Sequence, residues 1–446
     1  MTFSLLVLAC AIVWIVLGTT RFKLHPFLVL LTASIFLGVG TGVPLSELAG
    51  LLGKGMGKTM QSIGLLILFG TTIGVALEVS NATQSIAQAL LNRLSKLPLP
   101  YAVSCIGYLV AIPVFCDSAF VILSSLNKRL SQQTKTPLVG LTVALSTGLF
   151  APHVLVPPTP GPLAAAANLE LENLFLLILF GGILALLLVL LGAAYAHYLS
   201  KKTPFEVENL PLEEIGKNQE LPSLGSAIAP IIIPIVLMAL GTVLQFIPMA
   251  EELGFLNNIL LMLCTPSFAL GIGMLLSFRL LKTTPVSLSE VVEKGIQTAA
   301  PILIITAMGG TLGLIIQQLP LTEFLQDGLS QNSLGLLLPF LLAAALKTAQ
   351  GSSTVAIVTA SSIVFPLLGL LGLDSELGKV WVILAVGVGS MTISHANDSY
   401  FWIVSQMGGM DIKTAYRNHS FATFLQGAVG ILLVLVGHWI YSTILA

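Results

Sequence analysis

The chain has 446 residues, of which 55% are hydrophobic and only 9% charged, with a formal net charge of −1. Soluble domains carry about 25% charged residues, so this composition excludes a water-exposed surface over most of the molecule and makes hydrocarbon the main solvent. The near-neutral balance also offers no basic face for nucleic acid or for an anionic lipid surface.

A helix needs about 20 apolar residues to cross a bilayer. In the first half the sequence predicts spans over Thr2–Thr20, Pro26–Val43, Ser62–Val79, Leu138–Asn168 and Leu171–Leu199. The first has no basic residue before it and no small-residue cleavage site after it, so it is expected to be a retained helix and not a cleaved signal. The stretches Glu47–Lys58 and Ser80–Lys96 are amphipathic and are expected to lie flat at the interface. Glu78 is expected to reach an interface from a span end. In the second half the predicted spans are Ala227–Ile247, Phe255–Phe278, Gly295–Gln317, Val380–Met407 and Phe421–Leu445. Two further apolar regions, Pro98–Thr136 and Asn332–Leu373, are interrupted near the middle by polar residues.

Lys and Arg near span ends mark the cytoplasmic side. Arg21 and Lys23 put the end of the first span inside and the N-terminus in the periplasm. Arg93 and Lys96 before the first interrupted region, and Lys128, Arg129 and Lys135 after it, put both of its flanks inside, as in a re-entrant hairpin. Glu170 and Glu172 suit the outside, and Lys201, Lys202 and Lys217 suit the inside. In the second half Arg279, Lys282, Lys413 and Arg417 lie inside. Glu323, Asp327, Asp374 and Glu376 flank the second interrupted region on the outside, with Lys379 a contrary charge. The fold class expected is an all-α polytopic membrane protein. Residues 1–199 and 227–446 form an inverted repeat of about five transmembrane helices plus one re-entrant hairpin per half, joined by a cytoplasmic linker at 200–226.

Polar groups at membrane depth are costly and mark function. Four clusters stand out: Pro113–Ser118 in the first hairpin, Pro152–Pro162 inside the fourth span, Lys347–Thr354 in the second hairpin and Ser394–Ser399 inside the ninth span. The order in each half is hairpin tip, then broken helix. Forty residues separate Asp117 from Pro157, and 45 separate Gln350 from His395. The prolyl run at 157–162 removes N–H donors and must break its helix, and Gly351 suits a tight tip. Broken helices expose N–H groups that attract carboxylates, so the breaks are expected to meet near the midplane as one anion site.

At these clusters the sequence resembles the gluconate permease family, within the larger group of ion transporters with paired hairpins. The matching strings are PVFCDSAFVIL (113–123), VPPTPGP (156–162), TAQGSSTVA (348–356) and SHANDSYFW (394–402). The resemblance implies a paired-hairpin fold and uptake of gluconate or a related sugar acid by proton symport across the bacterial inner membrane. Cys116, Ser118-Ala119, Lys347 and Tyr400 depart from the residues the family more often has. Family members also carry fructuronate, idonate, D-serine and glycerate-like acids.

Asp117, a lone acid at an apolar hairpin tip, is the candidate proton-coupling carboxylate, with a structural acid as the alternative. Asp398 competes for that role or caps a half-helix. His153 and His395 are further titratable candidates. Candidate substrate contacts are Ser118, Pro158, Thr159, Gly161, Lys347, Gln350, Gly351, Ser352, Ser353, Thr354, His395, Asn397, Asp398 and Ser399. Lys347 could meet a substrate carboxylate, pair with Asp398 or reach an interface. The four cysteines, Cys10, Cys105, Cys116 and Cys264, stand singly, so neither a disulfide nor a metal site is expected. No cofactor is expected, and no nucleophile–base or HExxH pattern of an enzyme is present. Expected partners are a small organic anion, a proton, the lipid bilayer and a second copy of the chain. The alternatives are a sodium-coupled carboxylate carrier, a D-serine or glycerate-type carrier, and an ion antiporter.

Overall fold

The computed structural model describes residues 6–7, 10–11, 13–15, 17–18, 21–22, 24–40, 42–93, 96–112, 114–205, 221–244, 255–316, 335–395 and 398–444. Every regular element among them is helical. Most of the linker expected at 200–226 and the start of the second interrupted region lie outside these residues.

After helical residues between positions 6 and 18, the chain forms α1 (Pro26–Gly40), α2 (Leu45–Val79) and α3 (Ala82–Arg93). The boundary expected between a helix at Glu47–Lys58 and a span at Ser62–Val79 coincides with a bend of 49° between Leu45–Ser62 and Gly64–Val79, within one continuous helix. Its charged positions Glu47, Lys54 and Lys58 are exposed, as an amphipathic stretch requires. Gly55 and Thr59 face another helix, α12 (Leu288–Ile316), while Lys58 pairs with Glu170.

The first interrupted region is α4 (Leu99–Ala111) and α5 (Cys116–Thr134), bounded by Pro98 and by Lys135 in the left-handed conformation. The Leu138–Asn168 segment is α6 (Leu138–Leu155) and α7 (Pro160–Asn168), separated where the prolyl run forces Val156 into an extended conformation. Helix α8 (Leu174–Lys202) closes the half. The second half opens with α9 (Leu224–Leu244). The single span expected at Phe255–Phe278 is two helices, α10 (Phe255–Cys264) and α11 (Pro266–Ser277), inclined by 71° at Thr265–Pro266. Pro266 cannot supply the N–H that a continuous helix needs, and it takes the first helical position instead.

After α12 comes the second interrupted region, α13 (Leu337–Gln350) and α14 (Ser353–Val364). Gly351 adopts φ 88° at the tip, and the Ser352 hydroxyl caps α14 by accepting from the Val355 amide at 3.3 Å. Then α15 (Glu376–Met391) and α16 (Ser399–Met407) flank a break at residues 392–398. A short turn of helix and a π turn at Tyr416–Ser420 lead into α17 (Phe421–Ile444).

Five segments among the described residues are long and apolar enough to cross a membrane, or seven with each bent pair taken as one span. Helices α1, α2 and α9–α12 pack largely on one another, and α4–α8 pack with α13–α17. The two groups meet where α2 touches α7 and where α12 touches α14. Small residues set the closest approaches. A β-carbon on Gly55 would lie 2.6 Å from the Thr311 Cα, and one on Gly389 would lie 2.3 Å from the Phe340 carbonyl oxygen. In the second group α6 is central, and every residue of it from Gly140 to Leu155 is buried.

Candidate functional site

Three of the four polar breaks line one cavity of about 240 Å³. The first hairpin contributes Phe115, Cys116 and Asp117. The second contributes Ser352, Ser353, Thr354 and Val355, and the second broken helix contributes Asp398, Ser399 and Tyr400. His153 and Phe150 of α6 form one wall, and Pro301, Ile302 and Ile305 of α12 form another. The prolyl break stands beside it. Pro158 and Thr159 border a small void of about 10 Å³ that shares Phe115 and His153 with the main cavity.

Helices α5, α14 and α16 each begin at this cavity. The first residues of all three are among its lining. Each N-terminus carries a partial positive charge of about half a unit, so three dipole ends surround one small volume. Against them stand two carboxylates. Asp398 is buried at 4% exposure and its partners are complete. Oδ2 accepts from Lys347 Nζ and from Ser394 Oγ, both at 2.6 Å, and Oδ1 caps α16 by accepting from the Tyr400 amide at 3.1 Å. Asp117 has no ion-pair partner among the described residues. The Cys116 thiol donates to it at 3.9 Å, and the Ser399 hydroxyl stands in reach.

Of the partners open to Lys347, the structure shows Asp398. The ammonium also donates to the Gly351 carbonyl at 2.5 Å and lies 5.7 Å from the centre of the Phe150 ring. Lys347 is 1% exposed and is not part of the cavity lining. It ties the second hairpin tip to the second broken helix. His395 makes the same connection through its Nε2, 3.0 Å from the Thr348 carbonyl oxygen. Gly161 is packed under Ile357, away from the cavity. Ser118 lies in the first turn of α5 and Gln350 ends α13, but their side chains lie outside the described part of the structure, as does Asn397 entirely.

Sequence reasoning missed a buried polar relay behind Asp398. Ser394 Oγ stands 3.2 Å from His419 Nε2, and His419 Nδ1 stands 3.2 Å from Ser146 Oγ. The Tyr400 hydroxyl donates to the Ser146 carbonyl at 3.0 Å. The only signal for His419 was its place in the polar string Arg417–Ser420, which reads as an ordinary helix end. Its inward aim comes from the π turn there, a feature common at functional sites. The α12 wall could have been found from Pro301, a proline inside an apolar run.

The chain matches the GntP family permease over residues 3–440. It belongs to that family. It is 32% identical to an uncharacterized permease of Haemophilus influenzae, covering 98% of this chain and 92% of that one. It is 30% identical to the D-serine transporter DsdX of Escherichia coli K12 (95% and 96% covered) and 29% identical to a gluconate permease of Pseudomonas aeruginosa (95% and 95%). Among solved structures it shares its fold with the YdaH transporter of Alcanivorax borkumensis, at TM-score 0.60 and 17% identity over 90% of each chain. It also shares it with MtrF of Neisseria gonorrhoeae, one of a class of antimetabolite efflux pumps, at TM-score 0.67 and 15% identity over 94% and 96%. The chain is therefore a helical, multi-pass membrane permease of the GntP family.

Proposed function

We propose that this permease is a secondary transporter that takes up gluconate or a closely related small hydroxy-carboxylate across the bacterial inner membrane, with a proton as the coupled ion. The observation that carries this reading is the meeting of three helix N-termini and an unpaired Asp117 around a cavity of about 240 Å³. That volume corresponds to about eight water molecules at about 30 Å³ each, the scale of a small polar solute. The dipole ends attract a carboxylate. Ser352, Ser353, Thr354 and Ser399 offer hydroxyls to a polyol chain, and Asp117 offers a proton-binding group in the same space. Asp398 is held by Lys347 and the α16 cap, so its part is structural and the coupling falls to Asp117.

In this reading the two halves are an inverted repeat with the N-terminus in the periplasm. The α1, α2 and α9–α12 group is the scaffold, and the hairpins move against α12 to give alternating access. A D-serine reading has one observation in its favour besides the DsdX relative: an unpaired carboxylate at Asp117 could hold an ammonium group. Uptake of labelled gluconate, glycerate and D-serine into vesicles, with pH and sodium gradients imposed separately, decides between them. Gluconate accumulation driven by a pH gradient at zero sodium is expected. Accumulation that needs sodium, or that favours D-serine, overturns the proposal.

A further inference from the structure

The transport scheme gives no part to His153, which lines the main cavity. The residue belongs to the last turn of α6, three positions beyond Phe150 and on the same helix face. The walls that α6 and α12 present to the cavity are Phe150, His153, Pro301, Ile302 and Ile305, so this ring is their one polar side chain. The serine and threonine hydroxyls and both carboxylates stand on the hairpins and at the start of α16 instead.

His153 is 5% exposed, and its ring centre lies 5.9 Å from that of Phe115. Nδ1 is enclosed without a hydrogen-bond partner. Nε2 has no partner among the described residues either, and it is the ring nitrogen that keeps accessible surface. That edge of the ring borders the main cavity and the small void beside the prolyl break. A neutral imidazole carries its proton on one nitrogen and a lone pair on the other. Buried N–H groups without a partner are rarer than buried acceptors without one. The enclosed Nδ1 therefore holds the lone pair, and Nε2 presents an N–H that no described group of the protein accepts.

We propose that His153 is a specificity-determining residue whose Nε2–H donates to a hydroxyl oxygen of the substrate chain. The helix N-termini take the carboxylate, and the α6 wall takes the chain that extends from it. This role rests on the hydroxy-carboxylate reading above. A chain without that hydroxyl leaves the N–H buried and unpaired, which disfavours it by about tenfold or more. Equilibrium binding of radiolabelled gluconate to the purified full-length protein tests the role, with monodeoxy gluconates as competitors. Gln places an amide nitrogen where Nε2 stands, Asn places one where Nδ1 stands, and Phe keeps a ring without nitrogen. His153→Gln is expected to bind gluconate within about threefold of wild type, and His153→Asn and His153→Phe about tenfold more weakly. One monodeoxy gluconate should bind wild type about tenfold more weakly than gluconate does, yet bind His153→Phe as well as gluconate does. The thermal midpoint of unliganded His153→Phe should not fall, because no internal hydrogen bond is lost. Unchanged gluconate affinity in His153→Phe overturns the role. So does an equal loss in all three variants, a lowered midpoint in His153→Phe, or a set of monodeoxy penalties that is the same in His153→Phe as in wild type. Each of these leaves the hydroxy-carboxylate reading standing, whereas no gluconate binding by the wild type overturns both.

Discussion

The Lys347–Asp398 pair makes the sharpest test of the site. Both side chains are almost fully enclosed, at 1% and 6% exposure, and among the described residues the ammonium has only Asp398 and the Gly351 carbonyl as hydrogen-bond acceptors. Removing one member of such a pair leaves a buried charge without compensation and costs about 3–5 kcal/mol. Lys347→Met keeps the apolar stem and deletes the charge, so Asp398 is left with Ser394 and the Tyr400 amide. A loss of about 3–5 kcal/mol is expected. Asp398→Asn keeps a capping oxygen for α16, so its cost comes from the stranded ammonium and should be of similar size. The double variant strands neither charge. Neutral replacement of a whole buried pair is often tolerated, so the double variant should cost less than the sum of the singles by about 2–3 kcal/mol, the upper end of measured couplings. Equilibrium unfolding in mixed micelles across the four proteins measures this. A Lys347→Met loss under about 1 kcal/mol, or additive single costs, would refute the pair as the tie between the second hairpin and α16.

Three further outcomes follow from the same geometry. Asp117→Asn is expected to abolish proton-driven accumulation in vesicles while gluconate counterflow continues; wild-type accumulation in that variant would remove Asp117 from the coupling. Ser352→Ala loses the α14 cap, worth about 0.5–2 kcal/mol. If the hydroxyl also meets substrate, the apparent uptake affinity falls tenfold or more, whereas an unchanged affinity assigns Ser352 to capping alone. Gly389→Ala places a β-carbon 2.3 Å from the Phe340 carbonyl oxygen and should destabilise by about 1–3 kcal/mol through overpacking of α13 on α15. Gly53→Ala, with nothing within 4 Å, serves as the control that should not destabilise.

The breaks were legible because their chemistry is local. The run Pro157–Pro162 cannot continue a helix, Gly351 suits a tip, and Asp398 sits where a cap belongs, and the structure has an interruption at each. Convergence was legible only as an expectation from the shared order of the clusters. It depends on pairings such as Lys347 with Asp398, 51 residues apart, which no local pattern encodes. The bend in α2 was legible as a change from an amphipathic to an apolar pattern near Ser62, but its packing partner was not. Gly55 and Thr59 face α12, and that contact lies more than 250 residues away in the chain. His419 was missed for a related reason: a one-residue change in helical register at the π turn decides whether it points inward.

Charge balance in the cavity gives a physical reason for coupling. The Lys347–Asp398 pair is neutral as a unit, so a substrate carboxylate entering at the three helix N-termini has Asp117 as its nearest unpaired charge. Two like charges about 6 Å apart at an effective dielectric of about 20 repel by about 3 kcal/mol, a factor of about 100 in affinity. One proton on Asp117 removes that penalty. The proton and the carboxylate thus favour each other's binding by the same factor, as linkage requires. Neither is then held well alone. A transporter that moves only when the site is fully occupied, or fully empty, needs this reciprocity. In Asp117→Asn the repulsion is gone at every pH, so substrate binding should lose its pH dependence while exchange persists.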